Sequence, residues 1–280
     1  MIDLHTHTTA SDGRRSPASL VEAAAAAGVT VLGVTDHDTV AGCAAAQAAC
    51  DASGLTFVTG IELTSVREAT DVHVLGYFID ADSPALASFL AEQRGRRIER
   101  VREMILRLGT HGIALDADAV LKPGIDDPTV SAGRPWIARA LVERGYCETT
   151  SEAFGRWLAR GRPAFVPRLA AAPDEVFARI HAAGGLASLA HPVLLGRDQW
   201  IPEFAEAGLD ALEAYHSKQN GEDTRRYLAL ADRLGLAVSG GSDYHGDESH
   251  GAVSPGSVAL PREAFDALRE AARTRPSARR

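Results

Sequence analysis

Ten histidines are spread along this 280-residue chain, and most follow or interrupt a short apolar run. Ile2-Asp3-Leu4 leads straight into His5-Thr6-His7, with Asp12 a few residues on. The run 31–34 leads into Thr35-Asp36-His37-Asp38, and 56–59 into Gly60-Ile61-Glu62. His73 lies inside the apolar run 72–77, and Ala190-His191-Pro192 follows another. Tyr215-His216-Ser217 and Gly241-Ser242-Asp243-Tyr244-His245 complete the set. Imidazole and carboxylate together suit zinc, manganese or iron, and suit magnesium or calcium poorly. No cysteine lies near these clusters, which excludes a thiolate site. In extended chain the two side chains of His-x-His point the same way and can reach one cation. His5, His7, Asp12, His37, Glu62, His73, His191, Asp243 and His245 are the ligand candidates. A single tetrahedral zinc uses roughly three or four ligands, so this set predicts two to three divalent metal ions (Mn, Zn or Fe) sharing a carboxylate. A lone histidine is more often structural than a ligand. His111 and His181, away from these runs, are read that way, and His250, close after the last cluster, as a surface residue or one that supports a ligand from behind.

Such scattered residues meet only if the chain brings one end of each apolar run to the same place. Seven strands are predicted, near 2–4, 31–34, 56–59, 72–77, 187–190, 210–214 and 236–239. Helical stretches lie between them, clearest at 17–27, where Ser16 caps and Pro17 opens the helix, and at 41–52. Strands alternating with helices imply parallel βαβ units. Seven of them, without a Gly-rich dinucleotide turn, predict an α/β fold: a closed or nearly closed seven-stranded (β/α) barrel. An open doubly wound sheet is the alternative. In a barrel the strand C-terminal ends share one face, where active sites are built. His73, inside its strand, is the exception to that pattern.

The alternation stops between about 83 and 172. A long helix from Ser83-Pro84 to about 108 and helices near 134–144 and 150–159 are predicted there, with no strand. The barrel is thus assigned to 1–82 and 173–272, a helical cap to 83–172 and a basic tail to 273–280. Segment 92–107 holds Arg94, Arg96, Arg97, Arg100, Arg102 and Arg107. A solvated helix face is the first reading, and a basic face towards an anion the second.

Composition narrows the class. Lysine plus arginine total 29 against 37 acids, giving −8, which disfavours broad binding to long nucleic acid. With 45% hydrophobic and 24% charged residues the chain is of ordinary globular type. No apolar run of about 18 residues exists for a membrane span, and Asp3 sits where a signal peptide needs apolar residues. Three cysteines without a C-x-x-C pair suggest a cytoplasmic protein. No obligate protein partner is expected.

His5-Thr6-His7, Ser11-Asp12-Gly13, Thr35-Asp36-His37-Asp38, Gly60-Ile61-Glu62, Ala190-His191-Pro192 and Gly241-Ser242-Asp243-Tyr244-His245, in this order, resemble the polymerase and histidinol phosphatase (PHP) family of metal-dependent phosphoesterases. The resemblance covers nearly the whole chain and implies a distorted seven-stranded β/α barrel. Gly133-Arg134-Pro135-Trp136-Ile137-Ala138-Arg139 and Gly161-Arg162-Pro163-Ala164-Phe165-Val166-Pro167 resemble the insertion of a subgroup acting on nucleotides. Its members release phosphate from nucleoside 3′,5′-bisphosphates or trim short RNA from the 5′ end. Trp136 stands where that family more commonly has histidine. By resemblance His5, His7, Glu62 and Asp243 hold a first metal, Glu62, His73 and His191 a second, and Asp12, His37 and His245 a third.

Three divalent cations against the three carboxylates leave about three positive charges, which favours a phosphomonoester dianion over a neutral amide or lactam. Metal binding lowers the pKa of water from 15.7 towards about 7, so hydroxide bridging the metals can attack phosphorus without a nucleophilic side chain. His216 is the first candidate to protonate the leaving oxygen, ahead of Asp38 and Lys218. Arg134, Arg162, Arg168 and Lys218 are the candidates to hold a second phosphate or the 5′ end of an RNA. The expected substrate is a small phosphorylated nucleotide or a short RNA 5′ end. The competing readings are a histidinol-phosphate-type phosphatase, an amidohydrolase, and a non-catalytic, metal-containing module that binds RNA ends.

Overall fold

The computed structural model describes residues 1–127, 130–246 and 253–275. His250 and tail residues 276–280 lie outside them. The strands are β1 (Ile2–Asp3), β2 (Val31–Val34), β3 (Thr56–Arg67), β4 (Thr70–Tyr77), β5 (Leu186–Leu189), β6 (Ala211–His216) and β7 (Ala237–Gly241). They hydrogen-bond in chain order. The Leu4 N–H donates to Gly240 O at 3.2 Å and the Asp243 N–H to His5 O at 2.8 Å, so the two edges meet. This is the expected distorted (β/α) barrel. A Cβ on Gly241 would overlap the backbone of His5, so glycine is what lets these edges approach.

The strand directions correct the sequence-based expectation. β1/β2, β2/β3, β5/β6 and β6/β7 are parallel, but β4 is antiparallel to both neighbours. β3 continues well past its apolar run to Arg67 and returns through the two residues Glu68-Ala69. A parallel crossover needs about a dozen residues or more, so a two-residue connection can only make a hairpin.

Helices α1 (Pro17–Ala26) and α2 (Cys43–Ser53) cover the first strands, and the Ser16 side chain caps α1 by accepting the Ser19 N–H. Between β4 and β5 come α3 (Pro84–Thr110), α4 (Ala117–Asp126), α5 (Arg134–Glu143) and α6 (Thr150–Ala153), which runs on into a π-helical turn, Phe154–Leu158. α4, with Pro123 inside it, is absent from the sequence expectation. Asp116 starts it by accepting the Asp118 and Ala119 N–H groups. These helices enclose their own core, including Met104, Leu108, Leu121, Ile137, Leu141 and Leu158. The outer layer of the barrel is completed by α7 (Pro173–Ala182), α8 (Pro192–Leu195), α9 (Ile201–Glu206), α10 (Gly221–Leu234) and α11 (Arg262–Thr274). Phe177, Ile180, Phe204 and Tyr227 from this layer pack on Leu63, Val74, Leu189 and Leu212 of the sheet. Among the described residues no helix is long and apolar enough to cross a membrane.

Candidate metal centre

The ends of the parallel strands deliver His5, His7, His37, His191, His216, Asp243 and His245 to one rim. His73 reaches it from mid-strand because β4 runs backwards, which places its N-terminal half at that rim, with His73 opposite Thr64 of β3. The exception in the sequence pattern is thus a consequence of strand direction.

Glu62 stands at the centre, almost fully buried. Its Oε1 lies 2.8 Å from His73 Nδ1 and 3.1 Å from His191 Nε2. Its Oε2 lies 3.0 Å from His37 Nδ1, 3.3 Å from His7 Nε2 and 3.5 Å from His5 Nε2. Asp243 Oδ1 is 3.4 Å from His5 Nε2 and 3.3 Å from His7 Nε2. Asp12 lies 3.3 Å from His245 Nε2 and 3.7 Å from His37 Nε2. Four clusters have donor atoms mutually within 4.8 Å: His7-Asp12-His37-His245, His5-His7-Glu62, His37-Glu62-His73 and His5-His216-Asp243. Eight of the nine sequence-derived ligand candidates fall in these clusters, with His5, His7, His37 and Glu62 in two each; the ninth, His191, reaches the same place through Glu62, while His216, expected as a proton donor, joins His5 and Asp243.

The donor set fits divalent cations. His5 Nε2, both ring nitrogens of His7, His37 Nδ1, Glu62 Oε2 and His73 Nδ1 are buried and make no hydrogen bond among the described residues. Leaving one such atom unsatisfied costs about 1–3 kcal/mol, so their convergence marks a place for cations. Burial, then the neighbouring His245 and His37, bring the His7 imidazole down to about 3, so it is neutral, as a ligand must be. Burial would raise the carboxyls of Asp12, Glu62 and Asp243, but the surrounding histidines outweigh it and hold them well below the usual range.

Other buried groups hold the loops that carry the candidate ligands. Asp36 Oδ1 accepts the Thr8 N–H at 2.7 Å and the Ser11 hydroxyl at 2.7 Å, fixing the loop that carries Asp12. Asp3 accepts from the Ser242 N–H at 2.9 Å and its hydroxyl at 2.7 Å, fixing the loop that carries Asp243. Asp38, His191 and Asp243 have φ of 51°, 27° and 55°, unfavourable for side-chain-bearing residues and concentrated at this rim. His216 is placed beside His5 and Asp243. The Lys218 N–H donates to its Nδ1 at 3.1 Å, so in the neutral ring Nε2 carries the proton, 3.3 Å from Asp243 Oδ2. His216 thus presents a donor.

Beside the centre is a group of arginines. Arg168 Nε lies 3.4 Å from Asp71 Oδ2, and its Nη1 lies 3.8 Å from Asp38 Oδ2. Arg134 Nη2 is 3.9 Å from Asp71, and Arg97 pairs with Asp38. Arg100 donates through Nε to Val166 O at 2.8 Å. Arg97 and Arg100 come from the segment first read as a solvated face. Their three-residue spacing is the signal that they share one helix face, which here turns inward. Arg162 and Lys218, by contrast, are exposed, Arg162 in a turn closed by its N–H on Ala159 O at 3.0 Å. Trp136 is buried, packs near Gly124 and donates through Nε1 to Ser11 O at 3.4 Å, tying α5 to the Asp12 loop. Glu213, unremarked in the sequence, lies against His5 and His191.

A nearly closed seven-stranded barrel with a histidine-carboxylate centre at its rim defines a class, and the PHP domain family model matches residues 3–116. The chain belongs to the PHP domain family of metal-dependent phosphoesterases. It is 35% identical over 249 residues to the 3′,5′-nucleoside bisphosphate phosphatase of Chromobacterium violaceum, covering 87% of each chain. It is 36% identical over 252 residues to the 5′-3′ exoribonuclease Rnm of Escherichia coli, covering 87% of this chain and 84% of that one. The solved structure of a metal-dependent phosphoesterase from Bifidobacterium adolescentis superposes with a TM-score of 0.87 at 32% identity, over 96% of this chain and 95% of that one.

Proposed function

We propose that this protein hydrolyses phosphoesters of nucleotides, removing the 3′-phosphate of nucleoside 3′,5′-bisphosphates, or nucleotides from the 5′ end of short RNA. The observation that carries this reading is the arginine group beside the metal centre. Arg97, Arg100, Arg134 and Arg168 outnumber Asp38 and Asp71 by two charges. Burial, then the charge of Arg97, brings Arg168 down to about 9, and burial with Arg134 brings Arg100 down to about 10. Arg168 Nε and Nη1 and Arg100 Nη2 are buried and make no hydrogen bond among the described residues. A phosphate would relieve both the repulsion and the unmet donors. Asp71 and His73 alternate on one face of β4, and Asp38 adjoins His37, so this group abuts the centre. A substrate with one phosphate on the metals and another on the arginines fits better than one with a single phosphate.

His5, His7, Glu62 and Asp243 would hold one cation, Glu62, His73 and His191 a second, and Asp12, His37 and His245 a third, Mn, Zn or Fe each fitting this donor set. Cations held there would supply an acidified water and Lewis-acid stabilisation of the phosphoryl charge. Arg168 and Arg134 orient the ester by its second phosphate. His216, with its proton on Nε2, offers a hydrogen bond to the departing oxygen, which takes its proton from water, and Asp243 Oδ2 aligns the ring.

The test is turnover by manganese-loaded protein of adenosine 3′,5′-bisphosphate, scored as phosphate, and of a short 5′-phosphorylated RNA, scored as mononucleotide. Asp243→Asn serves as control. Turnover of the first alone identifies a nucleotide phosphatase, and stepwise shortening of the second an exoribonuclease. Failure of both with metal bound overturns the nucleotide assignment.

A further inference from the structure

Glu213 is fully buried within β6, and its two oxygens serve different parts of the rim. Oε1 lies 2.9 Å from His5 Nδ1, and Oε2 accepts the backbone N–H of His191 at 2.6 Å. His5 presents its other nitrogen, Nε2, to Glu62 at 3.5 Å and Asp243 at 3.4 Å. His191 has a φ of 27° and ψ of 61°, a conformation that needs outside support in a residue with a side chain. Strand geometry explains how Glu213 gets there. Residues three apart on a regular strand face opposite sides, yet Glu213 and His216 both face the centre. The pairing of β6 with β7 shifts between Glu213, opposite Ser239, and Tyr215, opposite Gly240, so Ala214 is an extra residue. That bulge turns both side chains to one face.

We propose that Glu213 is the positioning residue that couples the first and second metal sites. It fixes the His5 ring with the proton on Nδ1 and Nε2 towards the cation, and it holds the His191 backbone so that its ring meets Glu62. This rests on the reading of His5 and His191 as ligands. Glutamine at 213 keeps the volume but turns one acceptor into an amide donor and removes the charge from the other, so one ligand loses its brace and the other keeps only a weaker, uncharged one. Partners of ligating histidines are typically worth about 10–100-fold in metal affinity or activity.

The experiment is a manganese titration of chelator-stripped wild type and Glu213→Gln against a competing fluorescent chelator, with melting temperatures of both stripped proteins. Affinity falling at least tenfold at two sites per chain, with turnover recovering at saturating manganese, is the expected result. Wild-type affinity in the variant, or loss at one site only, overturns the proposal, as does a stripped variant that melts early but binds normally. A wild type that binds no manganese instead overturns the ligand reading itself. Should Glu213→Gln not fold, nitrogen-15 histidine spectra of zinc-loaded wild type decide. A proton on His5 Nδ1 supports the proposal, and one on Nε2 overturns it.

Discussion

Arg168 is held between two carboxylates, each of which also has an arginine of its own: Asp38 pairs with Arg97, and Asp71 lies near Arg134. Removing Arg168 therefore leaves neither carboxylate without a cationic neighbour, which makes it a clean probe of binding. Charge-assisted hydrogen bonds contribute about 1.5–3 kcal/mol each, or roughly tenfold and more in affinity. Arg168→Met is expected to raise KM for adenosine 3′,5′-bisphosphate by about tenfold or more, and to change kcat/KM for an aryl monophosphate by less than about threefold. Steady-state kinetics on the two substrates check this; an unchanged KM for the bisphosphate would remove Arg168 from the substrate site. Arg162, exposed in its turn, is the natural comparison, and Arg162→Met is expected to leave both parameters close to wild type.

At the scale of elements, the β3–β4 hairpin places His73 and Glu62 on the rim, and its turn is strained. Glu68 and Ala69 have φ of 50° and 56°. Two-residue hairpin turns with positive φ at both central positions favour Asn-Gly, because asparagine tolerates and glycine freely adopts that conformation. The left-handed region costs an ordinary side-chain-bearing residue roughly 1–2 kcal/mol. Glu68→Asn with Ala69→Gly is expected to stabilise the protein by about 1 kcal/mol. A urea midpoint moving up with an unchanged slope would show it, and a midpoint that moves down would mean that the turn is held by something other than its own backbone.

For the molecule as a whole, the barrel is also tied at the starts of its strands, the opposite end from the candidate metal ligands. Asp210 Oδ2 accepts the Ala187 N–H at 2.8 Å and meets His181 Nε2 at 2.7 Å, while Arg275 Nη1 lies 2.5 Å from Oδ1. One carboxylate so joins α7, the starts of β5 and β6, and the residue after α11. His181, first read as structural, is part of this tie. Burial would raise the Asp210 carboxyl, but the hydrogen bond from His181, the Ala187 N–H and the charge of Arg275 hold it below the usual value. A depressed pKa contributes stability that is present above the unfolded value of about 3.9 and disappears as pH falls through the folded one. The melting temperature is thus expected to drop below pH 4, and Asp210→Asn to melt lower at neutral pH with a shallower acid decline. Cations act on the other end of the barrel, where Asp12, Glu62 and Asp243 converge. Manganese at a hundredfold excess over its Kd contributes about 2.7 kcal/mol, or roughly 5–10 °C. Scanning calorimetry with EDTA and after manganese is restored should show that interval; an equal melting temperature in both would contradict a metal centre here.

The convergence of the candidate ligands was legible in the sequence because a strand end and a histidine or acid beside it are local facts. His5, His37, His191, Asp243 and His245 each follow an apolar run closely, and one architecture brings such ends together. Ser16-Pro17 likewise announced α1 by local capping chemistry. Direction, inward aim and pairing were not local. β4 runs backwards because two residues cannot make a crossover, and that reversal alone explains His73. Glu213 reads as an ordinary acid until a bulge in β6 turns it towards His5, and Arg97 and Arg100 read as solvated until α3 lies across the barrel with that face inward. Residue types and spacing determined which chemistry the chain can perform, since donor atoms belong to side chains. Tertiary structure decided which charges are buried together, because burial and charge pairing are properties of neighbours that lie far apart along the chain.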